Sequence, residues 1–170
     1  MHVTSSSRRF FLGTSAMAAA GLLLPSRTRA AAANEKLNLA IIGAGGRGSA
    51  NLSEVAGENI VALCDVDQRR AADAFAKYPR AKKYADFRRL LDDLDQQIDA
   101  VVISAPNHIH APASVMAMQM GKHVYCEKPG AHSVFEARVA AQVAAEQRVA
   151  TQLGTQIHAS DNYRRIVELI

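Results

Sequence analysis

The sequence predicts an α/β fold, a doubly wound parallel sheet with helices on both faces. Three observations predict it. Short apolar runs alternate with helical patterns from Leu37 onward. A glycine-rich turn, Gly43-Ala44-Gly45-Gly46-Arg47-Gly48, joins the first apolar run to the first helical stretch. An acidic residue, Asp65, closes the second apolar run, at the distance a dinucleotide-binding βαβ unit requires.

The elements follow in order. Leu37 to Ile42 reads as a buried strand, because Leu39-Ala40-Ile41-Ile42 is apolar without alternation. Gly46 to Ala56 reads as a helix and Ile60 to Cys64 as the second strand. Gln68 to Lys77 is an alanine-rich helix, Lys82 to Tyr84 a short strand and Phe87 to Leu94 a helix. Ala100 to Ile103 is a further buried strand, followed by a helix over His110 to Met120 and a strand over His123 to Tyr125. Ser133 to Arg148 is expected to be a long amphipathic helix, Ala150 to Leu153 the last strand, and Asp161 the start of another helix. Right-handed crossovers between parallel strands then wind the sheet both ways.

Charge narrows the partners. The net charge is +4, but Arg8, Arg9, Arg27 and Arg29 all precede the first acidic residue, Glu35. The remaining charges balance, so the neutral body gives no electrostatic reason to expect nucleic acid as a partner. Two cysteines, Cys64 and Cys126, make no disulfide framework and no CxxC motif. Cys64 ends an apolar run and reads as a small buried hydrophobe, with a reactive thiol as the alternative. The six histidines lack ligand spacing and cluster with no carboxylates, so no metal site is expected.

The first 33 residues read as an export address and linker. Ser7-Arg8-Arg9-Phe10-Phe11-Leu12 opens an apolar stretch that Pro25 stops. It resembles a twin-arginine signal, which implies export machinery as a partner and a periplasmic or secreted location. The stretch is too short and too rich in alanine for a stable membrane span. The expected organisation is therefore a signal over 1–33, an NAD(P)-binding domain over 34–156, and over 157–170 the start of a helix leading to a second domain. The chain stops within that helix and reads as a fragment or a truncated reading frame.

The glycine turn is the candidate cofactor cradle. Gly43 allows a tight turn, Gly45 lets a diphosphate approach the main chain, and Gly48 lets the helix pack on the strand. Gly46 and Arg47 complete the loop, whose free amides at a helix start favour phosphate. Asp65 is placed to accept hydrogen bonds from the adenosine ribose and to repel a 2′-phosphate, which favours NAD over NADP. Arg69 and Arg70 lie close by and temper that preference.

Two further loops leave the carboxyl ends of strands, where open α/β sheets bind ligands: Ser104 to Pro112 and Gly121 to Ser133. With Gly43 to Gly48, Asp65, Pro106-Asn107-His108-Ile109-His110 and Glu127-Lys128-Pro129, the chain resembles the glucose–fructose oxidoreductase / inositol dehydrogenase (Gfo/Idh/MocA) family over about residues 35–170. The resemblance implies an NAD(P)-dependent oxidoreductase acting on a sugar or polyol hydroxyl, with tightly held cofactor and a homo-oligomeric full-length form. It implies that Lys128 lies near the nicotinamide as the catalytic residue, with burial lowering its pKa, that Glu127 bonds the cofactor ribose, and that Pro129 is cis. Asn107 and His110 are expected beside the nicotinamide ribose, with Asn107 an N-cap as an alternative role, and Pro106 and Pro129 among the cofactor-binding residues. Gln156 and Tyr163 are weaker candidates for substrate contact. Two alternatives remain: an NAD-retaining glycosidase of the same family, and a dinucleotide-binding fragment without chemistry of its own.

Overall fold

A computed structural model describes residues 36–159 and 161–169. The export signal expected over 1–33 lies outside the described residues. Six strands form one sheet: β1 (Asn38–Ile42), β2 (Asn59–Cys64), β3 (Lys82–Tyr84), β4 (Ala100–Ile103), β5 (His123–Glu127) and β6 (Thr151–Gly154). The helices are α1 (Arg47–Glu54), α2 (Ala72–Lys77), α3 (Phe87–Leu94), α4 (Asn107–Gln119), α5 (Val134–Gln147) and α6 (Asp161–Glu168). The order across the sheet is β3-β2-β1-β4-β5-β6, and every pairing is parallel.

The two-residue period of the strands divides the core. Ala40, Ile42, Ala62, Cys64, Val101, Ile103, Val124 and Cys126 face the layer that carries α3, α4 and α5. Leu39, Ile41, Leu63 and Val102 face Leu52 of α1 and Ala74 of α2. Leu90, Leu91 and Leu94 of α3 are all fully buried, each contributing about 1.5–3 kcal/mol of hydrophobic stabilisation. Asp86 caps that helix by accepting the Arg88 amide at 2.9 Å.

Some elements differ from the sequence reading. The second helix begins at Ala72, not Gln68, because the Asp67 side chain accepts the amides of Arg69 and Arg70 and holds a turn there. Helix α4 begins earlier than expected, directly after Pro106, and Pro112 lies inside it. Pro106 occupies the N-cap without a side-chain bond, so Asn107 is the first helical residue and not the cap. Helix α5 is not sharply amphipathic: Val143 is its one buried residue, while Val134 and Phe135 are exposed. A 3-10 turn over Gln156–Ala159, absent from the sequence reading, follows β6.

The sheet is wholly parallel, so the carboxyl ends of its strands share one edge. Gly43, Asp65, Ser104 and Lys128 all follow strands there. The winding direction reverses between β1 and β4, which opens a crevice at that edge.

Candidate functional site

The glycine turn is built by close approach. Gly43 has φ +84°, and a Cβ there would stand 2.7 Å from the main chain of Ser104 and Ala105. A Cβ on Gly48 would stand 1.7 Å from the Gly43 carbonyl oxygen, so α1 meets β1 only because that position has no side chain. The amides of Gly43 and Ala44 donate to the Cys64 carbonyl at 2.8 and 3.2 Å, pinning the turn to the end of β2.

Asp65 is tied into the same turn. Its Oδ2 accepts the Gly45 amide at 2.8 Å and its Oδ1 the Asp67 amide at 2.9 Å. Each carboxylate oxygen keeps acceptor capacity for a hydroxyl. A cavity of about 630 Å³ lies here, lined by Gly43, Gly45, Asp65, Arg70, Pro106 and others. A second cavity, of about 660 Å³, is lined by Asn107, His110, Glu127, Lys128 and Gln156. Arg47, Ser104 and Ala105 line both, so the two form one trough across the carboxyl edge. A dinucleotide fits this arrangement: a paired-hydroxyl acceptor at one end, side-chain-free main chain at the middle, and a lysine at the other.

Around Glu127 the structure assembles a polar cluster. Glu127 is buried, and its Oε1 accepts from Arg47 Nε at 2.9 Å, Asn51 Nδ2 at 2.9 Å and Gln156 Nε2 at 2.6 Å. Asn51 Nδ2 also donates to Ser104 Oγ at 2.8 Å, and Gln156 Nε2 to the Tyr125 hydroxyl at 2.8 Å. Burial pushes the Glu127 carboxyl up, but the bonds from Asn51, Arg47 and Gln156 outweigh it and hold the pKa below the ordinary carboxylate value. The same contact raises Arg47. Gln156, expected to face substrate, is thus bonded to this carboxylate while still lining the trough.

Lys128 follows Glu127 directly and is joined to Pro129 by a cis peptide bond. Its side chain lines the second cavity and is exposed in this structure, where the sequence reading expected burial. No element among the described residues covers it. His110 is buried, at 1% exposure. Its Nδ1 lies 2.5 Å from the Pro129 carbonyl and its Nε2 2.7 Å from the Ala105 carbonyl. The ring therefore latches the Lys128 loop to the loop after β4. The Tyr163 side chain lies outside the described residues.

Asn51, Ser104 and Tyr125 were missed as site residues. Two were legible: Tyr125 lies two residues before Glu127 on one strand, and Asn51 lies one helical turn after Arg47. Cys64 and Cys126 are buried, and burial pushes their thiols up to about 12 and about 11. Among the described residues no group of His, Cys, Asp and Glu is placed to hold a metal ion, and no helix is long and apolar enough to cross a membrane.

Comparison with known proteins places this geometry. A family profile, GFO_IDH_MocA, described as an oxidoreductase family with an NAD-binding Rossmann fold, matches residues 37–155. Inositol 2-dehydrogenase of Salmonella typhimurium (strain LT2) is 40% identical over 98 residues, 55% of this chain and 29% of the relative. A glycosyl hydrolase family 109 protein of Stenotrophomonas maltophilia (strain K279a) is 40% identical over 134 residues, 71% of this chain and 29% of that protein. Among solved structures, apo scyllo-inositol dehydrogenase from Lactobacillus casei superposes with a TM-score of 0.69 at 27% identity, over 79% of this chain and 41% of its own. GenD2 from gentamicin A biosynthesis, in complex with NAD, gives 0.71 at 25% identity, over 79% and 39%. The chain spans less than a third of the length of these two curated relatives.

Proposed function

Because this chain belongs to the GFO_IDH_MocA oxidoreductase family through its NAD-binding Rossmann domain, we propose that the whole protein is an NAD-dependent oxidoreductase acting on a hydroxyl of a sugar or polyol. The observation that carries this is the single trough with Asp65 at one end and Lys128 at the other. NAD bound along it supplies a two-electron acceptor at the Lys128 end. The protein's own residues do the rest. Asp65 accepts from the adenosine ribose hydroxyls and opposes a 2′-phosphate by like charge, which favours NAD over NADP. The glycine turn admits the diphosphate. Pro106 and Asn107 line the walls of the trough, and His110 fixes the loop that presents Lys128. Lys128 holds or gives up a proton at Nζ opposite the substrate oxygen, as general acid–base catalysis requires.

Inositol 2-dehydrogenase and scyllo-inositol dehydrogenase among the relatives support a polyol or sugar as substrate. The test is NADH formation by the full-length protein on a panel of inositols and aldoses. Lys128→Ala is expected to lower kcat by about 10²–10⁴-fold while NAD still binds. Absence of NAD binding in the unsubstituted protein would overturn the proposal. The likeness to the glycosyl hydrolase family 109 protein over 134 residues supports a second reading, an NAD-retaining glycosidase. Release of an aglycone without net NADH distinguishes it.

The pair Arg8-Arg9 followed by Phe10-Phe11-Leu12 supports export through the twin-arginine route to the periplasm or beyond. A folded protein exported with its cofactor must retain it, so nucleotide should co-purify with the native protein. The domain limits proposed from the sequence, 1–33, 34–156 and 157–170, and a homo-oligomeric full-length form complete this reading.

A further inference from the structure

Two cations approach the glycine turn, and their charges are differently engaged. Arg47 is paired: its Nε lies 2.9 Å from Glu127 Oε1. Arg70 is not. Among the described residues its guanidinium forms no ion pair, whereas the neighbouring Arg69 lies 3.8 Å from Asp67. The main chain of Arg70 sits against the turn. Its amide donates to Asp67 Oδ1 at 3.3 Å, and its carbonyl oxygen lies 2.8 Å from where a Cβ on Gly45 would stand. Its side chain then reaches back over the turn, with Nη2 3.1 Å from the Cβ position of Gly46. It lines the same cavity as Gly43, Gly45 and Asp65.

A dinucleotide diphosphate carries two negative charges. The turn meets it with main-chain amides, and one of these, the Gly45 amide, already donates to Asp65. An unpaired guanidinium lying over the turn has the fork geometry that phosphate oxygens accept in pairs. We infer that Arg70 is a diphosphate-binding residue of this site, supplying its unneutralised positive charge, and is not a receptor for a 2′-phosphate. This rests on the NAD reading given above.

The experiment measures the affinity of the whole chain for NAD, NADP, ADP-ribose and adenosine by calorimetry, before and after Arg70→Ala and Arg70→Lys. Arg70→Ala is expected to weaken NAD and ADP-ribose about tenfold or more, as loss of a charged hydrogen bond does. Adenosine should change less than about twofold, and the NADP-to-NAD ratio should stay constant. Arg70→Lys should recover part of the ADP-ribose affinity. Arg70 is exposed and its Gly45 contact is made by the main chain, so thermal midpoints of the variants should match the unsubstituted chain. Equal loss on adenosine, a selective loss of NADP, or no loss at all would each overturn the inference. An unsubstituted chain that binds none of the four would instead overturn the NAD reading itself.

Discussion

At the scale of single residues, close packing decides the glycine turn. The Gly48 position has no room for a methyl group, since a Cβ would fall 1.7 Å from the Gly43 oxygen. Gly48→Ala therefore has to push α1 away from β1. The expected result is a loss of about 1–3 kcal/mol in urea unfolding, together with weakened NAD binding. The sequence made this glycine legible through its spacing, because a strand–turn–helix context gives each glycine a steric task. It did not make Arg70 legible, because nothing in one-dimensional spacing tells which arginine is paired. Nor did it reveal that Glu127 is a buried acceptor shared by several donors. Its partners Arg47 and Asn51 come from α1 and Gln156 from the turn after β6, and only the strand order brings these segments together.

At the scale of elements, local chemistry fixed most boundaries. Lys82–Tyr84, Phe87–Leu94 and Ala100–Ile103 agree with the sequence reading residue for residue. Helix α5 starts by a capping box: Ser133 Oγ accepts the Glu136 amide at 3.2 Å, and Glu136 Oε2 accepts the Ser133 amide at 3.0 Å. Ser133→Ala should cost about 1 kcal/mol, read as a lower urea midpoint. The cost falls on an element with little burial to compensate, since Val143 is its one buried residue. The two largest boundary differences are set by side chain–main chain bonds or by proline. Asp67 delays α2, and Pro106 brings α4 forward.

At the scale of the whole molecule, the parallel sheet and its two core layers were readable, because continuous apolar strands demand cover on both faces. The trough was readable only in outline: the strand ends were predictable, but the exposure of Lys128 was not. Alkaline stability is also a property of the whole fold. The buried thiols stay protonated to about 12 at Cys64 and about 11 at Cys126, against 9.0 ordinarily, chiefly because burial disfavours the thiolate. Tyr84 and Tyr125 are raised as well. The unfolded chain ionises first, so this stabilisation is complete below about pH 9 and is lost as pH rises toward the folded values. Urea midpoints should fall with rising pH across that window, and Cys64→Ala with Cys126→Ala should flatten the slope, leaving the part due to the tyrosines.

The central place of β1 has a consequence for synthesis. Leu39 pairs with Ile60 on one side and with Ala100 on the other, so the second seam waits for a much later stretch of chain. Until Ile103 has left the ribosome, Ala40 to Ile42 present an unzipped apolar border to any nearby nascent polypeptide. A product cut short before that point would carry a ready template for sticking to its own copies.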